Sequence, residues 1–265
     1  MQIIHHIGLR AGHQERMAFS SVGFDLPIDR TGLGVISFQI AEDDPRWHGV
    51  RSLCKHMIVA ETVTTRFTGS ELAGADYLGL VASSHHGYPE PREEGGYLRA
   101  SFDLSAHCRM CGIGARQVAP FRLKRPPLAG KTSILQLNWV FDEYFVDAEV
   151  WASAFEPLGI GSWPVLLHKT GGAIRGTVQL RIDAVCPVET TGLTPVRCVF
   201  CGRVKHRYLL RGPHPKPIRP SAPVFHSSQY FGAGGQAFRL VFVSAEVFRA
   251  IRQAGLRGVR FYPCA

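Results

Sequence analysis

Two copies of one short word carry the clearest chemistry in this chain. They are Cys108-Arg109-Met110-Cys111-Gly112 and Cys198-Val199-Phe200-Cys201-Gly202. Each pair offers two thiolates to one metal ion, and four thiolates complete a tetrahedral zinc shell. The glycine after each second cysteine lets backbone amides point at sulfur without a Cβ in the way. With about 86 residues between the words, a shared site needs the intervening chain to be a folded insertion. Three readings stand at this stage: one shared structural zinc on Cys108, Cys111, Cys198 and Cys201; a site that has lost its metal, leaving thiols or disulfides; or two separate knuckles that recruit His107 and His206. An odd total of seven cysteines, without an evident secretion signal, favours metal over disulfides. Cys54, Cys186 and Cys264 read as small buried hydrophobes. A thioredoxin-like redox role requires a helix directly after the word, where the dipole lowers the thiol pKa. Ile113-Gly114-Ala115-Arg116 is a poor helix start, and Arg203-Val204-Lys205-His206 reads as a strand.

Other groups give weaker signals. His85-His86 with Glu90, Glu93 and Glu94 reads as a solvated polar loop, and so does His5-His6. Gly232-Ala233-Gly234-Gly235 opens no periodic helix, which argues against a phosphate loop. No Ser or Cys has a nucleophile elbow around it. The expectation is a protein that is not an enzyme and takes no small-molecule substrate. Asp142-Glu143 beside Trp139 and Phe141 forms an acidic-aromatic cluster that either pairs with the basic C-terminal stretch or faces a partner.

The net charge of +9 is unevenly spread: no acidic residue lies between Glu189 and Glu246. That stretch includes Arg203, Lys205, Arg207 and Arg211, the candidate partner-binding residues, since a field of one sign attracts an acidic protein or nucleic acid. The same charges could instead balance a zinc tetrathiolate. Phe200, Tyr208, Phe225, Tyr230 and Phe231 are interleaved with them. Bases could stack on such aromatics, so a zinc-ribbon nucleic-acid binder using residues 197–239 is the alternative reading. No apolar run of about 18 residues predicts a membrane helix. The expectation is a cytoplasmic protein without a membrane role.

Strands are expected at 35–40, 57–63, 77–81 and 97–104, with one short helix after Thr68. The later part repeats itself. Tyr144-Phe145-Val146-Asp147-Ala148-Glu149-Val150-Trp151 matches Val241-Phe242-Val243-Ser244-Ala245-Glu246-Val247-Phe248. In both, a strand ends on an N-cap residue. A helix follows, stopping at glycine (Gly159, Gly255), and then a strand with an aromatic and a proline (Trp163-Pro164, Tyr262-Pro263). The fold class is therefore α+β: β-rich with short helices, and duplicated strand–helix–strand units joined by a zinc-ribbon-like four-cysteine site. The expected division is an N-terminal β-rich region of unknown role, 1–104, and a duplicated module, 105–265, with one continuous domain over both as the alternative.

The doubled Cys-x-x-Cys-Gly, with the closing Leu240-Val241-Phe242-Val243-Ser244-Ala245-Glu246-Val247-Phe248 and Ala254-Gly255-Leu256-Arg257-Gly258-Val259-Arg260-Phe261, resembles the bacterial double-CXXCG motif family. The resemblance covers residues 105–265. It implies a non-enzymatic immunity protein that neutralises a cognate toxin.

Overall fold

The computed structural model describes residues 1–30, 32–127, 130 and 132–265. The fold is mixed α+β and strand-rich. The chain divides into two compact units. One is Met1–Glu71 together with Leu209–Gly212, and the other is Leu72–Tyr208 with Pro213–Ala265.

In the first unit, β1 (Gln2–Arg10), β2 (Val35–Ala41) and β3 (Val59–Arg66) form an antiparallel sheet in the order β2-β1-β3. The alternation expected at 35–40 is present: Ile36, Phe38 and Ile40 all point into the core. They pack on Phe19 of α1 (His13–Ser21) and on Trp47 and Val50 of α2 (Trp47–Cys54). One helix was expected in this region, the short one after Thr68. It forms as α3 (Gly69–Ala73), and Thr68 Oγ1 accepts from the Glu71 N–H at 3.2 Å. The sequence reading missed α1 and α2. Their interiors are too polar, or too interrupted by Gly49, to show an apolar period, and tertiary packing stabilises them instead. His5 corrects a second expectation. It is buried and stacked on Trp47 at 3.9 Å. Its Nε2 meets Glu42 at 2.8 Å and its Nδ1 meets Glu61.

The second unit contains β4 (Tyr77–Ala82), β5 (Pro89–Glu90), α4 (Gly96–Ser101), β6 (Phe102–Asp103), β7 (Arg116–Gln117), β8 (Arg122–Leu123), β9 (Ile134–Leu135) and β10 (Phe145–Asp147). It continues through α5 (Ala148–Val150), β11 (Ser162–Leu167), β12 (Ala173–Leu180), β13 (Val185–Cys186), β14 (Pro195–Arg197) and β15 (Val204–His206). It closes with β16 (Val224–Phe231), β17 (Phe238–Ser244), α6 (Ala245–Gln253) and β18 (Val259–Pro263). The strand expected at 97–104 is α4 followed by the short β6. Tyr97, Leu98, Ser101 and Phe102 fit a helical period better than an alternating one.

Both strand–helix–strand units form. One sheet has the order β5-β8-β11-β12-β10-β9, and the other β14-β15-β16-β17-β4-β18 with β13 on β16. In each, the two strands of the unit are parallel and separated by one antiparallel strand: β12 between β10 and β11, β4 between β17 and β18. The helices start as expected. Asp147 Oδ1 accepts from the Glu149 N–H at 2.9 Å and Ser244 Oγ from the Val247 N–H at 3.4 Å. The helical stretches of both units share a single core. Ala154 and Phe155 lie in one cluster with Val247, Phe248, Ile251, Leu78, Tyr144, Val146, Val241 and Val243. Tyr144 OH donates to the Leu80 carbonyl at 2.6 Å, tying the first copy to the strand inserted in the second. Because β4 sits inside that sheet, residues 77–82 belong to the second unit, and the contact boundary falls at 71/72, well before 104.

On the far face of β4, His214 stacks on Tyr262 at 4.8 Å, and an added Cβ at Gly79 would lie 1.9 Å from its Nδ1. Among the described residues neither ring nitrogen has a hydrogen-bond partner, and burial pushes the His214 pKa down to about 4. The unfolded value is about 6.5, so the native ring stays neutral where the unfolded one is protonated. This contribution is present above pH ~6.5 and is lost as pH falls toward ~4, by about 3 kcal/mol in all. Denaturant titrations at pH 7 and pH 4.5 should show this loss for the native chain and a smaller one for His214→Leu. Equal losses would show that His214 is not its source. Ser244→Ala should cost about 1 kcal/mol in the same assay.

Candidate metal centre

Each Cys-x-x-Cys-Gly word lies at the turn of a short antiparallel hairpin. The first sits between β6 and β7, which pair Phe102 with Gln117. The second sits between β14 and β15, which pair Arg197 with Val204. Their backbones follow the same pattern. The Cys108 N–H donates to the Ile113 carbonyl at 2.9 Å, and the Gly112 N–H to the Cys108 carbonyl at 2.7 Å. The Cys198 N–H donates to Arg203 at 2.9 Å, and Gly202 N–H to Cys198 at 2.9 Å. Gly112 and Gly202 take φ of 79° and 71°, the left-handed region that a side chain disfavours.

The four sulfurs converge, all within 4.8 Å of one another. Cys108 Sγ lies 3.9 Å from Cys198 Sγ, and Cys111 Sγ lies 3.7 Å from Cys201 Sγ. An ion with metal–sulfur bonds of about 2.3 Å in a tetrahedral shell sets sulfurs about 3.8 Å apart. The donor set therefore fits a shared metal ion. These distances are far too long for a disulfide bond, and all seven cysteines are free. Separate histidine-assisted sites do not form. His206 is buried beside Phe231, and the four cysteines are the one group spaced for a metal among the described residues.

The environments of the thiols differ. Arg203 Nε donates to Cys201 Sγ at 3.4 Å, and this hydrogen bond pulls the Cys201 thiol down to about 6. Backbone amides, first that of Cys111, lower Cys108. Burial pushes Cys111 up to about 11. Three of the seven cysteines stay outside the cluster, as expected, and burial raises the thiol pKa of each.

The four candidate partner-binding residues have different local settings, and Arg211 belongs to the first unit. Lys205 is 3% exposed. Its ammonium donates to the carbonyls of Cys111, Gly234 and Gln236 at 2.9, 2.7 and 2.7 Å. It is therefore a clamp that ties the second hairpin to the first knuckle, and not a surface contact. Arg203 serves Cys201. Arg211 Nη2 donates to Glu42 Oε1 at 2.6 Å. Arg207 is exposed. Of the interleaved aromatics, Phe225 and Phe231 are core residues. Tyr208 packs on Phe238 at 5.6 Å.

The sequence reading missed what the knuckle tips present. The residues between the cysteines include Val199, 91% exposed, Phe200, 70%, and Met110, 53%. The signal was legible: backbone and sulfur hold the turn, so residues between ligands point outward.

No family model matches the chain, and no curated protein matches it significantly. Among the described residues, no helix is long and apolar enough to cross a membrane.

If one ion is shared, Cys198→Ser should lower bound metal from about one ion per chain to near none and destabilise both hairpins by several kcal/mol. Elemental analysis and thermal melts check this. Retained stoichiometric metal in the variant would reject a shared site. Lys205→Ala should cost about 3 kcal/mol, because it strands three carbonyls without a donor.

Proposed function

We propose that this chain is a non-enzymatic immunity protein that binds a cognate protein toxin and blocks it by occlusion, its fold stapled by structural zinc. The observation that carries the reading is the pair of knuckles. Four thiolates fill a tetrahedral shell and leave no open position for a substrate or an activated water, the mark of a structural zinc site. Zinc suits four thiolates because it imposes no geometry of its own and does not change oxidation state. The rigid knuckles meanwhile hold Met110, Val199 and Phe200 out into solvent. Exposed apolar side chains on a preorganised support are what a partner interface uses as anchors. The resemblance to the double-CXXCG motif family supplies the toxin as partner, and the +9 charge favours one with an acidic contact surface.

A nucleic-acid interface is less well supported. Phe225 and Phe231 are packed inside the protein, and Lys205 is bonded to carbonyls, so these three residues are withdrawn from the surface that reading requires.

Co-expression with the product of the neighbouring gene should give a tight one-to-one complex and protect cells from it. Val199→Asp with Phe200→Asp should weaken that complex at least about 100-fold, with metal content and melting temperature unchanged. Absence of any complex or protection would reject the toxin. Affinity for single-stranded DNA that falls steeply with salt would instead favour the nucleic-acid reading.

A further inference from the structure

A large cleft in the second unit runs beside the first knuckle, with His107 and Gly112 in its wall, but Met110, Val199 and Phe200 are not part of its lining. Its volume is about 1140 Å3, above the usual range for small-ligand sites, so it has room for one. Tyr97 and Trp139 form part of its wall, their rings stacked 6.0 Å apart, and Phe141 and Phe238 continue the aromatic surface. Asp142 and Glu143 lie in the same wall.

The ionic pairing in this cleft is uneven. Three of its four arginines are matched to carboxylates: Arg92 to Glu90 at 2.9 Å, Arg116 to Asp103 at 3.2 Å and Arg181 to Asp183 at 2.8 Å. The fourth, Arg239, lies over the Tyr230 ring at 4.9 Å and donates to its hydroxyl at 3.1 Å. Asp142 and Glu143 have no arginine or lysine within ion-pair distance among the described residues. Asp142 Oδ2 accepts from the backbone N–H of Arg239 at 2.9 Å. The acidic cluster therefore does meet the basic C-terminal stretch, but through the main chain and without neutralising charge. Glu143 is 12% exposed. Its Oε2 accepts from Gln179 Nε2 at 2.8 Å, while His226 Nε2 stands 3.8 Å from Oε1 and is committed to the Asp142 carbonyl. Burial, followed by the repulsion of Asp142, raises the Glu143 carboxyl well above its ordinary range, and Arg239 offsets this least. A carboxyl raised this way favours its protonated form, and a cation brought against it would favour ionisation. Among the described residues, two of the three non-glycine residues with left-handed φ, Glu94 at 43° and Trp139 at 69°, also line this cleft. Such strain concentrates at ligand sites.

We propose that this cleft binds a small organic cation, an alkyl- or arylammonium or an amidinium, with its charge against the carboxyl groups of Asp142 and Glu143 and its apolar part along Tyr97 and Trp139. Carboxylates supply the counter-charge and aromatic faces attract the cation through their quadrupoles. The sequence reading expected no small-molecule ligand, and the cavity is what argues for one. The proposal rests on none of the toxin-binding argument.

The test is calorimetric titration of the full-length, metal-loaded protein with phenethylamine, benzamidine, agmatine and choline, and with phenylacetate as the anionic control. At least one cation should bind saturably with Kd below about 1 mM, while phenylacetate does not. Asp142→Asn and Glu143→Gln should each weaken that binding at least about tenfold. Glu143→Gln puts a neutral amide of the same shape in place of a buried carboxyl that already favours its neutral form, and is expected to melt no lower than the native chain, which separates lost binding from lost folding. Trp139→Ala should weaken the aryl cations more than agmatine. No saturable binding of any of the four cations, a preference for phenylacetate, or unchanged affinity in both carboxyl variants would overturn the proposal.

Discussion

The second unit depends on one geometric constraint. A strand–helix–strand crossover that returns parallel and leaves one strand position empty exposes two rows of unpaired backbone groups. An antiparallel strand must enter that gap, since buried amides and carbonyls without partners are costly. In the first copy the next strand, β12, turns back to fill it. In the second copy the gap is filled by β4, drawn from more than 150 residues earlier. That insertion makes the chain's last strand and one of its early strands neighbours, and it brings the two helical stretches over one shared core.

The cysteine site follows from this arrangement. The β14-β15 hairpin extends the seven-stranded sheet, and the β6-β7 hairpin supplies the other knuckle. Each turn uses the same backbone hydrogen bonds, and the two hairpins meet with their four sulfurs within 4.8 Å. The Lys205 ammonium closes the contact from the protein side, between the same pair of hairpins that a metal on the four sulfurs would join. The buried ammonium spends its three donors on three carbonyls, so it is fully satisfied.

The unit therefore presents two faces of different character. The knuckle tips are apolar and convex, and rigid for the reasons above. The cleft is concave, aromatic and short of cations. Convex apolar anchors suit a protein partner. A concave pocket with a few convergent polar groups suits a small ligand. Neither feature uses the exposed positive charge that dominates the composition. Three basic residues of the acid-free stretch, Arg203, Lys205 and Arg211, are instead spent on sulfur, on carbonyls and on Glu42.

What the sequence determined alone was local. Cys-x-x-Cys-Gly spacing specifies a knuckle because the turn needs a left-handed glycine and two sulfurs on one side. Asp147 and Ser244 start helices because a side-chain oxygen can satisfy a free amide one turn ahead. Alternation at 35–40 specifies a one-faced strand because side chains alternate along β-structure. These signals lie within a few residues of one another. Other features were decided only by tertiary structure. Lys205 reads as a surface charge until three carbonyls from distant segments surround it. Phe225 and Phe231 read as stacking platforms until β16 is placed inside a sheet. β4 reads as part of an N-terminal region until β17 and β18 pair with it. Asp142 and Glu143 become a cleft wall only when Tyr97, Gln179, His226 and Arg239 arrive from four separate stretches of chain. No local pattern encodes which segments meet across such distances, because pairing and burial are set by the whole packed core.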